Sequence, residues 1–240
     1  MMYKDNRTDI EQTGFAIIPD VFSSEELAML ATIIEEADRS GENFRMSAGL
    51  FAIRQFFKEI PDIIPHVFIK KLNAIIKEVF GADYFIVKSI YFDKPEHSNW
   101  FVAYHQDLTI AVKQKKEIEG YGPWTAKQNQ FSVQPPFHIL NDNFTIRIHL
   151  DDADDGNGAL YVIPGSHRTI LRPERIERST IEEVICNVPQ GGIMIMKPLL
   201  MHASKRSVNK RKRRVIHIEF TNKVLPEPLE WSERIDIDVS

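Results

Sequence analysis

Two spacings of apolar residues divide this chain near Tyr84. Upstream, Leu27, Leu30, Ile33 and Ile34 recur at three and four, the spacing of an amphipathic helix over 25–37. Ser23 and Glu26 supply the reciprocal capping-box pattern that opens it. A second helical pattern runs from about Ile64 to Phe80 and stops at Gly81, a residue suited to a left-handed helix end. Gly14 to Pro19 reads as a short strand stopped by proline. Downstream the period shortens to two, with strand segments near 84–92, 144–151, 159–163, 192–197 and 213–221. Helices first and strands afterwards predict a mainly β fold with helices packed on one side of a sandwich.

Alternation also sorts side chains by face. In 145–151, Thr145, Arg147, His149 and Asp151 oppose Ile146, Ile148 and Leu150. In 213–220, Arg213, Val215, His217 and Glu219 oppose Arg214, Ile216, Ile218 and Phe220. A sheet with one solvated face gives this pattern, and so does a sheet whose polar face lines a cavity. His105-Gln106-Asp107 adds chemistry. Two apart on an extended strand, His105 and Asp107 project from one face and can grip one ion together. A surface histidine beside a carboxylate is the plainer reading of such a triplet. A third ligand from a distant strand would complete the 2-His-1-carboxylate triad of non-haem Fe(II) sites, and His202 is placed to be that ligand.

Several stretches in a fixed order carry a resemblance. They are His105 to Leu108, Arg147 to Asp152, Asn157 to Leu160, Val162 to His167, Gly191-Gly192 ahead of His202-Ala203-Ser204, and Arg213-Arg214. Taken together, the sequence resembles the phytanoyl-CoA dioxygenase family of Fe(II)/2-oxoglutarate-dependent oxygenases. The resemblance implies a double-stranded β-helix, a jelly roll whose open end holds the metal. It implies Fe(II), 2-oxoglutarate and O2 as reactants, with His105, Asp107 and His202 as metal ligands. Hydroxylation of a small molecule, with release of succinate and CO2, is the implied reaction. Asp107 stands where halogenating relatives carry a small residue, which points to hydroxylation or a related oxidation. Arginine suits the far carboxylate of 2-oxoglutarate because its planar fork makes two parallel charge-assisted hydrogen bonds. The family's arginine, eleven positions after the distal histidine, falls on Arg213; a one-residue bulge would exchange it for Arg214. Ser204 matches a serine that assists the same carboxylate, and Gln106 a position that approaches the 2-oxo acid. Lys88 and Thr145 follow by strand alignment. Arg147, His149 and His217 on the cavity-facing side, and His167 in the Pro-Gly-Ser-His turn, are candidates for substrate contact. His66, His97 and His138 read as surface or hydrogen-bonded residues.

A 43% hydrophobic fraction is ordinary for a globular protein, and a net charge of −4 argues against a general nucleic-acid binder. The basic run from Lys205 to Arg214 reads as a solvated hairpin, a localisation signal or a nucleic-acid patch. It leads into a strand pattern and has no interleaved aromatics, which weakens the last. One cysteine, Cys186, excludes an internal disulfide and fits a reducing cytosol. No apolar run approaches membrane-spanning length and the start lacks a signal-peptide core. The expectation is one cytoplasmic domain over 1–240, with a mainly helical N-terminal region over 1–83, a jelly-roll core over 84–225 and a tail over 226–240. The oligomeric state is not set by the sequence. The stretch Thr109 to His138 is long for a plain connection. Its Trp124 belongs either to a lid that excludes water from the metal or to an anchor on the outside of the barrel. Two other readings remain, a metal-binding jelly roll without turnover and an interaction protein using the 205–214 hairpin. Arg213 and Ser204 count against the first, and the net charge against the second.

Overall fold

The structure is a computed structural model describing residues 2–238, apart from 39, 42, 48–49, 97–100, 128–129 and 173–181. His97 therefore lies outside the described residues. The first helix, α1 (Lys4–Thr13), buries only Ile10, so it left no apolar stripe to read. The expected capping box opens α2 (Ser24–Glu36): Ser23 Oγ accepts from the Glu26 N–H at 3.2 Å and Glu26 Oε2 from the Ser23 N–H at 2.8 Å. After α3 (Phe56–Glu59), the single helix expected over 64–80 is instead two pieces, α4 (Ile64–Val67) and α5 (Lys70–Val79). Ile69 is extended between them, with ψ 157°. The break lets the Phe68 ring meet those of Phe57 and Phe220 at centroid distances of 5.9 and 6.3 Å. Tertiary packing overrides periodicity here. Gly81, at φ 102°, ends α5 as expected. A last short helix is α6 (Phe137–Asp142).

The strands begin with β1 (Phe15–Ile18), β2 (Phe44–Ser47), β3 (Leu50–Arg54), β4 (Phe85–Lys94) and β5 (Val102–His105). Next come β6 (Ile110–Val112), β7 (Trp124–Lys127), β8 (Gln130–Val133), β9 (Phe144–His149) and β10 (Leu160–Val162). The last are β11 (Val184–Cys186), β12 (Ile193–Met196), β13 (His202–Ser204), β14 (Arg213–Thr221) and β15 (Ile235–Asp236). A major sheet runs β1-β12-β9-β14-β4-β3-β2, with β15 also on β4; a minor sheet runs β11-β10-β13-β5. The pairings within both are antiparallel. This is the jelly-roll arrangement, two sheets with an interior between them.

The major sheet has two unlike faces. Ile146, Ile148, Ile193, Ile195, Ile216, Ile218 and Phe220 join one cluster with Leu27 and Leu30 of α2 and Leu72, Ile75 and Ile76 of α5. Between the sheets, Met194 and Met196 meet Leu160, Val162 and Cys186. Every residue of β9 is buried, polar ones included, which removes the solvated-face alternative. The stretch 109–138 is not a plain loop: β6, β8 and β7 form a three-stranded sheet. Trp124 packs against its apolar cluster, which includes Val112, Val133, Leu229 and Trp231. The last residues are tied in as well, since Glu233 accepts from Ser89 Oγ at 2.6 Å and from its N–H at 2.8 Å. Among the described residues, no helix is long and apolar enough to cross a membrane.

Candidate metal centre and its cationic wall

His105 and His202 end up opposite each other as a cross-strand pair of β5 and β13, with ring centroids 4.2 Å apart. Asp107 follows β5, where its N–H is fixed on the Pro198 carbonyl at 2.9 Å. Its two carboxylate oxygens face one histidine each, at 3.8 Å from His105 Nε2 and 3.9 Å from His202 Nε2. One ligand atom from each of the three lies within 4.8 Å of the others. Each imidazole is held from behind, His105 Nδ1 on Ala103 O at 2.9 Å and His202 Nδ1 on Leu200 O at 2.8 Å. A carbonyl can only accept, so both protons sit on Nδ1 and both Nε2 lone pairs point at the carboxylate. This is the orientation that metal-ligating histidines take from a backbone acceptor.

Protonation agrees with the geometry. Burial holds His202 down to about 4, against the opposing pull of Asp107, so it is neutral at pH 7. Burial would raise Asp107, but His202, Lys88, His217 and His105 outweigh it and hold the carboxyl at about 2. Since His202 is neutral at pH 7, Lys88 is the cation that matters there. A carboxylate beside the neutral His202 imidazole is the state a divalent ion requires. The donor set thus fits Fe(II), and the side of the triad facing the sheet interior has no further protein ligand among the described residues.

Beyond the triad the inner face of the major sheet is cationic. Register places Arg213 opposite Lys94, His217 opposite Arg147, and Glu219 opposite both Lys88 and Thr145. Arg213 is buried, and its Nε has no hydrogen-bond partner. Burial, then the nearby Arg147, lowers its pKa to about 9. Lys94 is only 1% exposed and donates to the Lys205 carbonyl at 3.0 Å. Burial and the neighbouring Arg213 lower its pKa to about 8. Gly158, at φ 86°, leaves room for this side chain: a Cβ there would lie 2.4 Å from Lys94 Nζ and 3.2 Å from Ser204 Oγ. The Ser204 hydroxyl donates to Gly158 O at 2.9 Å. Two buried cations and a hydroxyl therefore lie together, and among the described residues no ion pair joins either cation to a carboxylate.

Nearer the triad runs a hydrogen-bonded chain. Lys88 Nζ meets Glu219 Oε1 at 2.6 Å, His217 Nε2 meets the same oxygen at 3.1 Å, and Arg147 Nη1 meets His217 Nδ1 at 3.2 Å. Arginine can only donate, which makes Nδ1 the acceptor and Nε2–H the donor to Glu219. Burial, the largest influence on His217, lowers its pKa, consistent with this neutral tautomer. Arg147 Nε, Thr145 Oγ1 and both ring nitrogens of His149 are buried without partners. Burial first, then Arg147 and Arg213, keep His149 well below the usual imidazole range.

Other expected site residues sit elsewhere. Gln106 lies just past the end of β5, and its side chain is engaged away from the triad. Its amide donates to the carbonyls of Leu199, Thr169 and Ser166 at 2.6, 2.8 and 3.3 Å and its oxygen accepts from the Leu171 N–H at 2.8 Å. It pins loops and has no capacity left for a 2-oxo acid. His167 is buried against Gly14, a Cβ on which would lie 2.6 Å from its Nδ1, and so packs the end of α1 instead of meeting substrate. Trp124 belongs to the small sheet's cluster rather than to a loop free to close. Arg214 is already used: its Nε and Nη2 grip the two oxygens of Asp151, both at 2.9 Å. Much of the basic run is likewise engaged, with Arg211 on Asp154 and Lys205 over the Tyr161 ring. Sequence reasoning missed Lys94 and the role of Glu219. The same alternation that singled out Arg213 and His217 extends across to β4, and pairing register was the missing signal.

A cavity of about 910 Å³ lined by residues including Phe22, Glu26 and Lys70 contains none of these groups, so volume alone does not mark the site.

A jelly roll with a His-Asp-His cluster beside buried cations fits a class, the non-haem iron oxygenases that use a 2-oxo acid. The sequence model described as Phytanoyl-CoA dioxygenase (PhyH) matches residues 10–215, and the chain belongs to this family of Fe(II)/2-oxoglutarate-dependent oxygenases. Solved structures agree in fold. AviO1 from Streptomyces viridochromogenes Tue57 superposes with a TM-score of 0.66 at 19% identity, covering 92% of this chain and 96% of its own. The non-heme alpha ketoglutarate dependent carbocyclase SnoK from nogalamycin biosynthesis gives 0.64 at 17%, covering 90% and 83%. HygX from Streptomyces hygroscopicus, solved with nickel, 2-oxoglutarate and hygromycin B bound, gives 0.63 at 17%, covering 91% and 86%. No curated protein matches the chain in sequence.

Proposed function

We propose that this protein is a small-molecule hydroxylase in which His105, Asp107 and His202 hold Fe(II) while Arg213 and Lys94 hold the distal carboxylate of 2-oxoglutarate. The observation that carries this reading is the pair of histidines locked with Nε2 toward Asp107, beside a buried arginine whose Nε has no hydrogen-bond partner. A metal site without turnover would have no use for that arginine. Bound together, iron, 2-oxoglutarate and O2 supply oxidative decarboxylation to succinate and CO2 and the oxidation of a C–H bond.

The chain's own residues do the remaining work. Ala103 and Leu200 carbonyls fix the imidazole tautomers, so no proton need leave Nε2 when metal enters. Arg213 gives a fork and Lys94 a point charge to one carboxylate, and the Ser204 hydroxyl lies within the same pocket. Arg147, His149, His217 and Thr145 line the space left for substrate, and their burial excludes bulk water. Glu219 keeps Lys88 and His217 in place. Neighbours in fold include a carbocyclase and a protein solved with hygromycin B bound; hydroxylation is our reading for this chain because Asp107 occupies the third ligand position. We also read the protein as one cytoplasmic domain, since the lone thiol of Cys186 is buried and pushed up to about 12. The test is succinate formation from 2-oxoglutarate by iron-loaded protein across a small-molecule library. Turnover stimulated by a compound that gains one oxygen atom supports the reading; iron-loaded, folded protein that never forms succinate contradicts it.

A further inference from the structure

The inner wall carries more positive charge than iron and 2-oxoglutarate consume. Among the described residues of β4, β9 and β14, the cations on this wall are Lys88, Lys94, Arg147 and Arg213, and the carboxylates on it and in the triad are Glu219 and Asp107. Fe(II) and doubly ionised 2-oxoglutarate cancel each other, which leaves the wall with two surplus positive charges. Location assigns them. Lys88 is neutralised by Glu219 at 2.6 Å, and Asp107 serves the triad. Lys94 and Arg213 share the pocket for one distal carboxylate, which leaves one of the two surplus charges there.

The other surplus charge is Arg147. The residue is 8% exposed, its guanidinium donates to the neutral His217 at 3.2 Å, and its Nε is buried with no partner. Its charge is felt by Asp107 and His202 on one side and by His149 and Arg213 on the other, so it stands between the metal ligands and the co-substrate anchor. Burying an unpaired cation is costly, and an anion seated against it offsets that cost. A fork with a free edge fits a carboxylate best. The neighbouring unpartnered groups, Thr145 Oγ1 and the His149 ring nitrogens, suit a polar group as well.

We propose that the primary substrate is an acid whose carboxylate is received by Arg147, which positions a neighbouring C–H bond at the metal. The proposal rests on the oxygenase reading above and adds the substrate's class to it. His217 acts as a positioning residue, accepting from Arg147 Nη1 and thereby aiming the guanidinium's free edge into the cavity.

The test uses protein loaded anaerobically with Fe(II) and 2-oxoglutarate and matched acid–amide pairs: benzoate and benzamide, octanoate and octanamide, N-acetylleucine and its amide. Binding is followed by ligand-observed NMR and calorimetry. In at least one pair the acid should bind about tenfold tighter than the amide, the gain expected of a charge-assisted fork. Arg147→Met should erase that preference while shifting 2-oxoglutarate affinity less than Arg213→Ala does. Arg147→Lys, which keeps charge without the fork, should retain some of the preference, and Arg147→Gln, which should erase it, stands in if the methionine variant does not fold. Acids and amides binding alike in all pairs would overturn the proposal, as would a preference that survives in the neutral variant. If Arg147→Met weakens 2-oxoglutarate as much as Arg213→Ala, the cation serves the co-substrate's own metal-side carboxylate, and the proposal also falls. Wild-type protein that binds neither Fe(II) nor 2-oxoglutarate would instead remove the oxygenase reading beneath it.

Discussion

The two faces of β9 and β14 are built from alternate residues of the same strands, yet they obey opposite rules. On the helix side, Ile146, Ile148, Ile216, Ile218 and Phe220 are all 0% exposed, and Phe144 stacks on Phe220 at 4.7 Å and 10°. These side chains have no polar atom to satisfy. On the interior side, Thr145, Arg147, His149 and Arg213 are also buried but hold polar atoms without partners. Buried polar groups in folded proteins are normally paired, and rule-breaking clusters mark functional sites. One face stabilises the sheet; the other gives up stability, and in the proposed function it keeps donors ready for ligands.

The largest effects should separate ligand loss from fold loss. His105→Ala, Asp107→Ala and His202→Ala should each fold and melt near wild type while losing Fe(II) by more than the ~10–100-fold that an outer-shell change costs. Metal analysis after gel filtration measures this, and full occupancy in all three would remove the triad assignment. Phe220→Ala, from the opposite face, should lose about 3–5 kcal/mol of stability and still bind iron at temperatures where it remains folded. Arg213→Ala comes next. It should cost about 2–5 kcal/mol of 2-oxoglutarate affinity with iron retained. Should Arg214→Ala cause that loss instead, the Arg214–Asp151 pair would have to open on binding and the inner-face assignment would be off by one residue.

A smaller effect is a pH dependence. Lys94 is protonated below its depressed pKa of about 8 and neutral above it, whereas an ordinary lysine stays charged to about pH 10. The 2-oxoglutarate dissociation constant should therefore be lowest below pH 8 and rise as pH passes through and above that value. Lys94→Met should bind more weakly near neutral pH and show a flatter profile, as read by calorimetry from about pH 6.5 to 9.5. A wild-type profile as flat as the variant's would place Lys94 outside the anchor. The smallest expected effect has the opposite sign. His149→Leu should raise thermal stability by about 1 kcal/mol or more, because two unpartnered buried nitrogens are replaced by an apolar side chain. A loss of stability would mean that those nitrogens have partners after all.

Much of this contrast was legible in the sequence. Period-two alternation separated the two faces of 145–151 and 213–220, whereas β5 ends at His105 and Asp107 comes beside it through its backbone bond to Pro198, not through a shared strand face. Ser23 and Glu26 announced α2. What escaped reading depended on partners far along the chain. The 64–80 helix breaks where Phe68 packs on Phe220, and α1 carries a single buried residue. Lys94 acquires meaning only through its pairing with Arg213, and Glu219 only through Lys88. Gln106 is the instructive error, since its amide is taken up by backbone groups of distant loops that its place in the sequence does not reveal.

The most direct measurement is an anaerobic titration of Fe(II)-loaded protein with 2-oxoglutarate, followed through the visible metal-to-ligand charge-transfer absorption of the chelate. The band should saturate at one 2-oxoglutarate per iron, survive in Phe220→Ala below its melting temperature and need far more co-substrate in Arg213→Ala. Folded, iron-loaded wild-type protein that develops no band, or one indifferent to Arg213, would contradict the assignment of the polar face as the co-substrate site.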